Sequence, residues 1–410
     1  MQSPGVICEV CDKVLYGPKL DLGLHPLPDD LVPIHSESIK ETFRQEIRLC
    51  KICLTAIQIH PVPKERLFRG SYHYRASLTL DVVNGMRSLV DNLLRYLVDE
   101  SSPTILDIGC NDGTLLNLFK EEIDCVTIGI DPGEAITQTE TKPDYSFQDY
   151  FDAKSAELIA SKFPKLNLVT FTNVFAHIEN LNELCNNLKK VISDSTLIVI
   201  ENHYLGSVLL SSQFDTFYHE HPRTYSLRSF EFIAKKLDVE ILSVEFPNRY
   251  GGNIRVVMSR KQTNHFKYSQ SEAKVGFDDE EKFIEKFVSL QRTFLDWRDS
   301  TSSEIESLIS NYGPILGKSL PARAVMLISA LGLDVDKMQG VYERPNSPKV
   351  GNLIPGTSIP ILSDEELPNG LDKNLVVWSW HIIREVEPYL RDLGYSGRVW
   401  VPMPNFSRVS

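Results

Sequence analysis

The run Ile105-Leu106-Asp107-Ile108-Gly109-Cys110-Asn111-Asp112-Gly113-Thr114 constrains the fold more than any other stretch of this 410-residue chain. It is an apolar strand that turns through Asp-x-Gly-x-x-x-Gly into a helix. Glycines in such a turn let the backbone approach a ligand that a Cβ would block. A second apolar run, Thr127–Ile130, ends in Asp131, 24 residues after Asp107. A carboxylate at the end of a second strand is placed to hold both hydroxyls of a ribose. β-rich runs at Thr104–Ile108, Thr127–Ile130, Leu166–Phe171 and Thr196–Ile200 alternate with helical patterns near Thr114–Glu122 and Leu181–Ile192. Strands spaced by helices predict an α/β fold with a parallel sheet covered on both faces. Glu240–Val244 and Ile254–Ser259 follow a helix starting near Leu227 and extend that sheet.

The loop and its acid partner suit either a dinucleotide or S-adenosylmethionine. The dinucleotide fingerprint wants G-x-G-x-x-G, and Asp107 stands where its first glycine belongs. An acid there repels a pyrophosphate but fits the ammonium end of adenosylmethionine, which is therefore the expected cofactor. Asp149 and Tyr150, before the third main strand, are candidates for the adenine region.

Cys8-Glu-Val-Cys11 and Cys50-Lys-Ile-Cys53 are two Cys-x2-Cys knuckles separated by 38 residues. Each knuckle aims two thiolates at one ion, and two knuckles fill the tetrahedral positions of a closed zinc site. Such a site has no open position for chemistry. Its binding energy substitutes for a core in a segment where short apolar pieces are broken by Pro26, Pro28 and Pro33. Cys110, Cys125 and Cys185 are left over.

Titratable residues gather after the later strands. Asn173-Val174-Phe175-Ala176-His177 follows Leu166–Phe171, and Glu201-Asn202-His203-Tyr204 follows Thr196–Ile200. Phe214-Asp215-Thr216-Phe217-Tyr218-His219-Glu220-His221 then concentrates polar side chains in a loop, a density that packing does not explain. His219 and His221 could share a metal, but acid–base work suits them better, because imidazole titrates near neutral pH and a neighbouring carboxylate sets its tautomer.

Further on, Phe283, Phe287, Leu290, Phe294 and Trp297 recur at spacings of four and three, one apolar stripe of a long helix. Arg260–Glu281 before it reads as a linker. Ala324–Leu333, Val341–Tyr342, Leu375–Trp378 and Val399–Val401 are strand or buried-helix candidates, with a helical run over Ile382–Leu393, a further α/β unit. The net charge of −12, from 43 basic and 55 acidic residues, opposes a general grip on nucleic acid. The N-terminus shows no signal peptide and the longest apolar run is too short to span a bilayer, so a soluble cytoplasmic protein is expected.

Taken together, these motifs resemble the sugar-nucleotide C-methyltransferases that add a methyl branch to keto-deoxysugars. The resemblance covers nearly the whole chain: the four cysteines, Tyr72-His73-Tyr74-Arg75-Ala76-Ser77, the glycine loop, the Asn173–His177 segment, the Phe214–His221 block, Gly251-Gly252-Asn253-Ile254-Arg255 and Pro355-Gly356-Thr357-Ser358-Ile359-Pro360. The Tyr-His-Glu-His stretch is its most specific part. It implies a Rossmann-like class I methyltransferase domain (70–262) between an N-terminal zinc ribbon (1–69) and a C-terminal α/β substrate domain (278–410). It also implies methylation at C-3 of a nucleoside-diphosphate 4-keto-6-deoxysugar through an enolate, by a monomer or weak homodimer with structural zinc. By the resemblance His221 is the base, Glu220 orients the site, and Tyr218, Tyr74 and His177 donate or relay protons. Asp107, Gly109, Asn111, Asp112, Gly113, Asp131 and Asn173 would hold adenosylmethionine. Tyr72, Asn202, Arg323, Asn346, Lys349 and His381 would hold the sugar nucleotide.

The chain departs from the family twice. Tyr250-Gly251-Gly252-Asn253 stands for His-Gly-Gly-Ser, and Leu320-Pro321-Ala322-Arg323-Ala324 stands for a Gly-x-x-Ala-Lys-Gly turn, where Arg323 takes the lysine's place or is a buried structural residue. A methyltransferase for another small carbon acid and a scaffold without turnover are the competing readings; an RNA methyltransferase is disfavoured by charge.

Overall fold

The computed structural model describes residues 6–37, 41–67, 75–78, 80–139, 141–249, 251–260 and 280–410. Its centre is a seven-stranded sheet in the spatial order Glu240–Glu245, Asn253–Ser259, Leu197–His203, Leu168–Thr172, Thr104–Ile108, Val126–Ile130, Tyr145–Phe147. All strands run parallel except Asn253–Ser259, which is antiparallel to both neighbours. Every strand expected in this region is present. The edge strand Tyr145–Phe147 was missed, since it is short, largely exposed and carries no apolar run. The sheet grows in opposite directions from Thr104–Ile108, toward Val126–Ile130 and toward Leu168–Thr172. That switch point opens a crevice at the carboxyl ends of the strands, where α/β sheets bind ligands. Helices Leu80–Leu97 and Thr114–Glu122 cover one face with Val82, Met86, Leu89 and Leu93 against Leu115 and Phe119.

Flanking sheets are knitted into this centre. The N-terminal strands Lys19–His25, Phe43–Leu49 and Ala56–Gln58 form a four-stranded sheet whose last strand, Arg223–Thr224, comes from just beyond the Phe214–His221 block. Val32–Pro33 pairs with Asn352–Leu353 of the C-terminal part. The C-terminal sheet has six strands, ordered Ile361–Ser363, Met338–Glu343, Ile315–Lys318, Asn374–Val377, Arg398–Val401, Ser407–Arg408. Ile315–Lys318, a four-residue strand interrupted by Gly317, gave no sequence signal. Ala324–Leu333 falls mostly in the helix Ala322–Ala330. One buried apolar cluster runs from Leu20 and Ile47 through Phe171 and Phe230 to Leu327 and Trp378, so the N-terminal segment shares the core of its neighbours. The stretch read as a linker lies almost wholly outside the described residues. Its end is not linker, because buried Glu280 accepts from the backbone N–H of Leu227 and Arg228, at the start of the helix Leu227–Leu237. Among the described residues no helix is long and apolar enough to cross a membrane.

The long helix Phe283–Tyr312 carries the predicted stripe, with Phe283, Phe287, Leu290, Phe294 and Trp297 all buried. Phe214 packs against Phe294 and Trp297 with ring centroids 5.1 and 5.0 Å away, and Phe217 against Phe287 at 6.3 Å. The block's aromatic residues thus anchor on this helix while Tyr218, Glu220 and His221 line the crevice. Asp215, fully buried, accepts two hydrogen bonds from Arg323 at 2.7 Å each and one from Trp380 Nε1 at 2.8 Å. Arg323→Ala strands that carboxylate without its cation, so destabilisation of about 3–5 kcal/mol is expected in chemical denaturation. A change within about 0.5 kcal/mol would show that the pair is not needed to fasten the block.

Candidate active site

The crevice is a cavity of about 1490 Å³ with walls from all three parts of the chain. Asp29 and Lys64 come from the N-terminal part, Asp107, Asp131, Asn173, His177, His203 and His221 from the loops after the central strands, and Lys318, Arg344, Lys349 and His381 from the C-terminal part.

Asp107 ends the first central strand and is buried, its Oδ1 accepting from Thr170 Oγ1 at 2.6 Å. Burial pushes its carboxyl up to about 7, the Thr170 hydroxyl pulls it down, and the charge of Asp131 adds to the rise. A desolvated acid that gains by meeting a cation suits the ammonium of adenosylmethionine. Asp131 also sits in the wall, its carboxylate accepting from the N–H of Asn111 at 2.9 Å and of Gly133 at 2.7 Å, with acceptor capacity remaining for a ligand. Tyr150 and Phe151 add aromatic faces to the same wall. These residues fit the cofactor.

Gly109 and Asn111 line the same cavity and also hold the loop in place. A Cβ on Gly109, at φ +74°, would lie 2.4 Å from Val174 Cγ2, so the glycine seats this loop against the Asn173–His177 loop. Asn111 Oδ1 accepts from the N–H of Ala76 at 2.9 Å, and Asp112 Oδ2 accepts from the N–H and hydroxyl of Ser77 at 3.0 and 2.7 Å. Asp112 and Gly113 do not line the cavity: one side chain is tied to Ser77 and Thr114, and the other residue opens the helix at φ +76°.

At the other end His221 is ringed by aromatic groups, with centroids of Tyr218, His177 and His203 at 4.3, 4.7 and 5.5 Å. Its Nδ1 donates to the carbonyl of Thr216 at 2.9 Å, which leaves the lone pair on Nε2. Burial, then the neighbouring His177 and His203, hold His221 well below the usual imidazole range. Burial takes His177 down to about 4, and burial with the nearby Arg323 takes His203 to about 3. Glu220, buried and 3.9 Å from His177 Nδ1, is pushed well above the usual carboxylate range by desolvation, with Asp29 adding to the rise. The site therefore gathers imidazoles held toward their neutral form and a carboxyl biased toward protonation. His219 is elsewhere: its Nε2 lies 3.2 Å from the carbonyl of Phe43, and it does not line the cavity, which argues against a shared metal with His221.

Asn202 is corrected by strand alternation. It is buried and absent from the cavity wall, whereas His203, the next residue, faces in. Asn173 lines the wall with Oδ1 accepting from Asn253 Nδ2 at 3.1 Å. Arg323 lines it too, but its guanidinium is committed to Asp215. Asn346, Lys349 and His381 are in the wall as expected, Lys349 Nζ donating to the Leu320 carbonyl at 2.6 Å. Sequence reading missed Lys318, a buried cation paired with Asp364 at 2.7 Å, and Arg344, stacked over Tyr389. Tyr72, Tyr74 and Tyr250 lie outside the described residues.

The four cysteines are separate from the cavity. Cys8, Cys11, Cys50 and Cys53 are buried with their sulfurs all within 4.8 Å of one another, Cys8 to Cys53 at 3.5 Å and Cys11 to Cys50 at 3.7 Å. Thiolates bound about 2.3 Å from zinc in a tetrahedron stand about 3.8 Å apart, so the set fits that ion.

Sheet order, the buried acid at the switch point and the cofactor wall define an S-adenosylmethionine-dependent methyltransferase. Residues 82–244 match the family described as methyltransferase domain, and residues 248–404 match the C-methyltransferase C-terminal domain. The chain is 25% identical over 409 residues to the C-methyltransferase NovU of Streptomyces niveus, covering 97% of this chain and 95% of that one. The chain is an S-adenosylmethionine-dependent C-methyltransferase with a methyltransferase domain followed by a C-methyltransferase C-terminal domain. Among solved structures, a methyltransferase from Anabaena variabilis is similar over 43% of this chain and 84% of its own, with 17% identity and a TM-score of 0.35. Magnesium protoporphyrin IX methyltransferase from Synechocystis is similar over 44% of this chain and 86% of its own, with 15% identity and a TM-score of 0.33.

The raised Asp107 sets a pH dependence. Its carboxyl is neutral below about 7 and pairs with an ammonium only once ionised, so affinity for S-adenosylhomocysteine rises about tenfold between about pH 6 and 8. Calorimetry on wild type and Asp107→Asn should show that slope in the first and not in the second; equal slopes would remove Asp107 from the cofactor site.

Proposed function

We propose that the enzyme methylates C-3 of a nucleotide-linked 4-keto-6-deoxysugar through an enolate. The observation that supports this reading best is His221, an imidazole kept neutral with its basic Nε2 in a cavity of proton donors. A C–H beside a ketone is acidic only through its enolate, so the reaction needs a base at carbon and donors at the oxygen where charge develops. His221 takes the proton. Tyr218, His177 and His203 offer O–H and N–H groups to the oxygen, and neutral imidazole is a donor well matched to an enolate. Glu220, biased by burial toward its protonated form, donates to a sugar hydroxyl and orients the ring. Tyr74 completes the donors, and Tyr72 the sugar contacts. Adenosylmethionine supplies the methyl group as an electrophile. The chain's part in the transfer is to hold the nucleophilic carbon in line for it.

The C-terminal wall suits a diphosphate. Because Arg323 is held by Asp215 and Lys318 by Asp364, the cations we assign to the phosphates are Arg344 and Lys349, with Asn346 and His381 beside them. They supply a local positive patch on a chain of net charge −12. The cysteine cluster holds zinc as a structural ion.

With a 4-keto sugar nucleotide in deuterated water and no methyl donor, wild type should wash deuterium into C-3 and His221→Ala should lose at least about a hundredfold of that rate. Equal exchange in the two proteins would remove His221 as the base. The base works in its neutral form and its pKa is depressed, so the acid limb of kcat/KM falls below about 6.5 rather than above it. For the metal, elemental analysis should find zinc in wild type and none in the Cys8→Ser, Cys50→Ser double variant; retention in the variant would exclude a four-thiolate site.

A further inference from the structure

Arg223 stands two residues beyond His221 and opens the short strand that completes the N-terminal sheet, pairing with Ile57. Its side chain is buried, yet it touches three separate segments. Nη1 donates to Glu9 Oε2 at 2.6 Å. Nη2 donates to the carbonyls of Ile178 and Glu179, the two residues after His177. Nε donates to Tyr225 Oη at 3.1 Å. Glu9 lies between Cys8 and Cys11, inside the first knuckle, and its Oε2 also accepts from the N–H of Leu181, the first residue of the helix Leu181–Val191. Lys236 Nζ donates to the Glu9 carbonyl at 2.8 Å.

The second knuckle is tied to the same region. Cys53 Sγ lies 3.1 Å from Thr55 Oγ1, which lies 2.8 Å from Ser229 Oγ, and the Cys53 carbonyl accepts from the hydroxyls of Ser226 and Ser229. A closed cysteine cluster thus grips the chain on both sides of the catalytic block, and only Glu9 carries a charge from the knuckle to Arg223 among these contacts. The loop of His177 and the block of His221 meet at 4.7 Å between ring centroids, and Arg223 is the side chain that bonds to the first loop while following directly from the second.

We propose that Glu9 and Arg223 are a positioning pair, through which the four-cysteine cluster sets the placement of His177 against His221. The proposal rests on the reading that these histidines carry the chemistry. A displacement of about one ångström between reacting groups costs about a hundredfold in rate, so a pair remote from substrate can control turnover without touching it. The pair also gives the cluster a role in catalysis that a closed site cannot have through its own coordination sphere.

The test uses Glu9→Ala and Glu9→Gln in the full chain, the glutamine keeping an acceptor without the charge. In protein labelled at the histidine rings, with no substrate present, the alanine variant should shift the His177 and His221 signals, assigned by His→Gln variants, while His25 and His381 stay in place. Zinc content and affinity for S-adenosylhomocysteine should match wild type, while deuterium exchange at C-3 per S-adenosylhomocysteine-binding site falls about tenfold or more. Glu9→Gln should lie between. Unchanged ring signals in both variants would overturn the proposal, as would a shift of all histidines together with loss of zinc, which would make Glu9 a general folding residue. Absence of exchange in wild type would instead sink the sugar substrate, and the ring signals would still decide the coupling.

Discussion

The buried pair between Asp215 and Arg323 is the contact on which the site depends. Asp215 sits within the Phe214–His221 block and Arg323 in the first turn of a C-terminal helix, so the pair fastens the loop of Tyr218, Glu220 and His221 to the C-terminal part of the chain. Two full desolvations have to be offset by geometry, and the two bonds at 2.7 Å, with a third donor from Trp380, meet that demand. Behind the pair, Phe214 and Phe217 bind the block to the long helix. A loop of titratable groups is thereby held as rigidly as a core element.

Such rigidity permits an unusual electrostatic state. His177, His203 and His221 are all driven toward neutrality by burial and Glu220 toward protonation. For the enolate we propose, a charged acid beside the carbon would be repulsive, whereas neutral donors would stabilise it without reorganising. Asp107 follows the opposite rule: it is a buried acid that a cationic partner would return to its charged form.

Much of this was legible from residue order. The central strands, the long helix with its Phe283-to-Trp297 stripe and the cysteine pairing followed from periodicity and spacing, because burial acts on each of those segments locally. What escaped was relational. Asp112 has the composition of a ligand contact, yet it is absent from the cavity wall and its side chain holds Ser77. For Arg323 the sequence left open a phosphate contact or a buried structural residue, because its partner Asp215 lies 108 residues away in sequence. Lys318 lies on a strand too short and too interrupted for its period to show. His203 was overlooked in favour of its neighbour Asn202, although period-two alternation separates the two faces of that strand.

The most direct test of the account is incubation with adenosylmethionine and a panel of dTDP-, GDP- and UDP-linked 4-keto-6-deoxysugars, read by mass and by carbon NMR of the product. At least one sugar should gain the mass of one methylene, with the new methyl bonded to C-3. Methylation on oxygen or nitrogen, or no product from any 4-keto sugar in protein that binds S-adenosylhomocysteine, would contradict it.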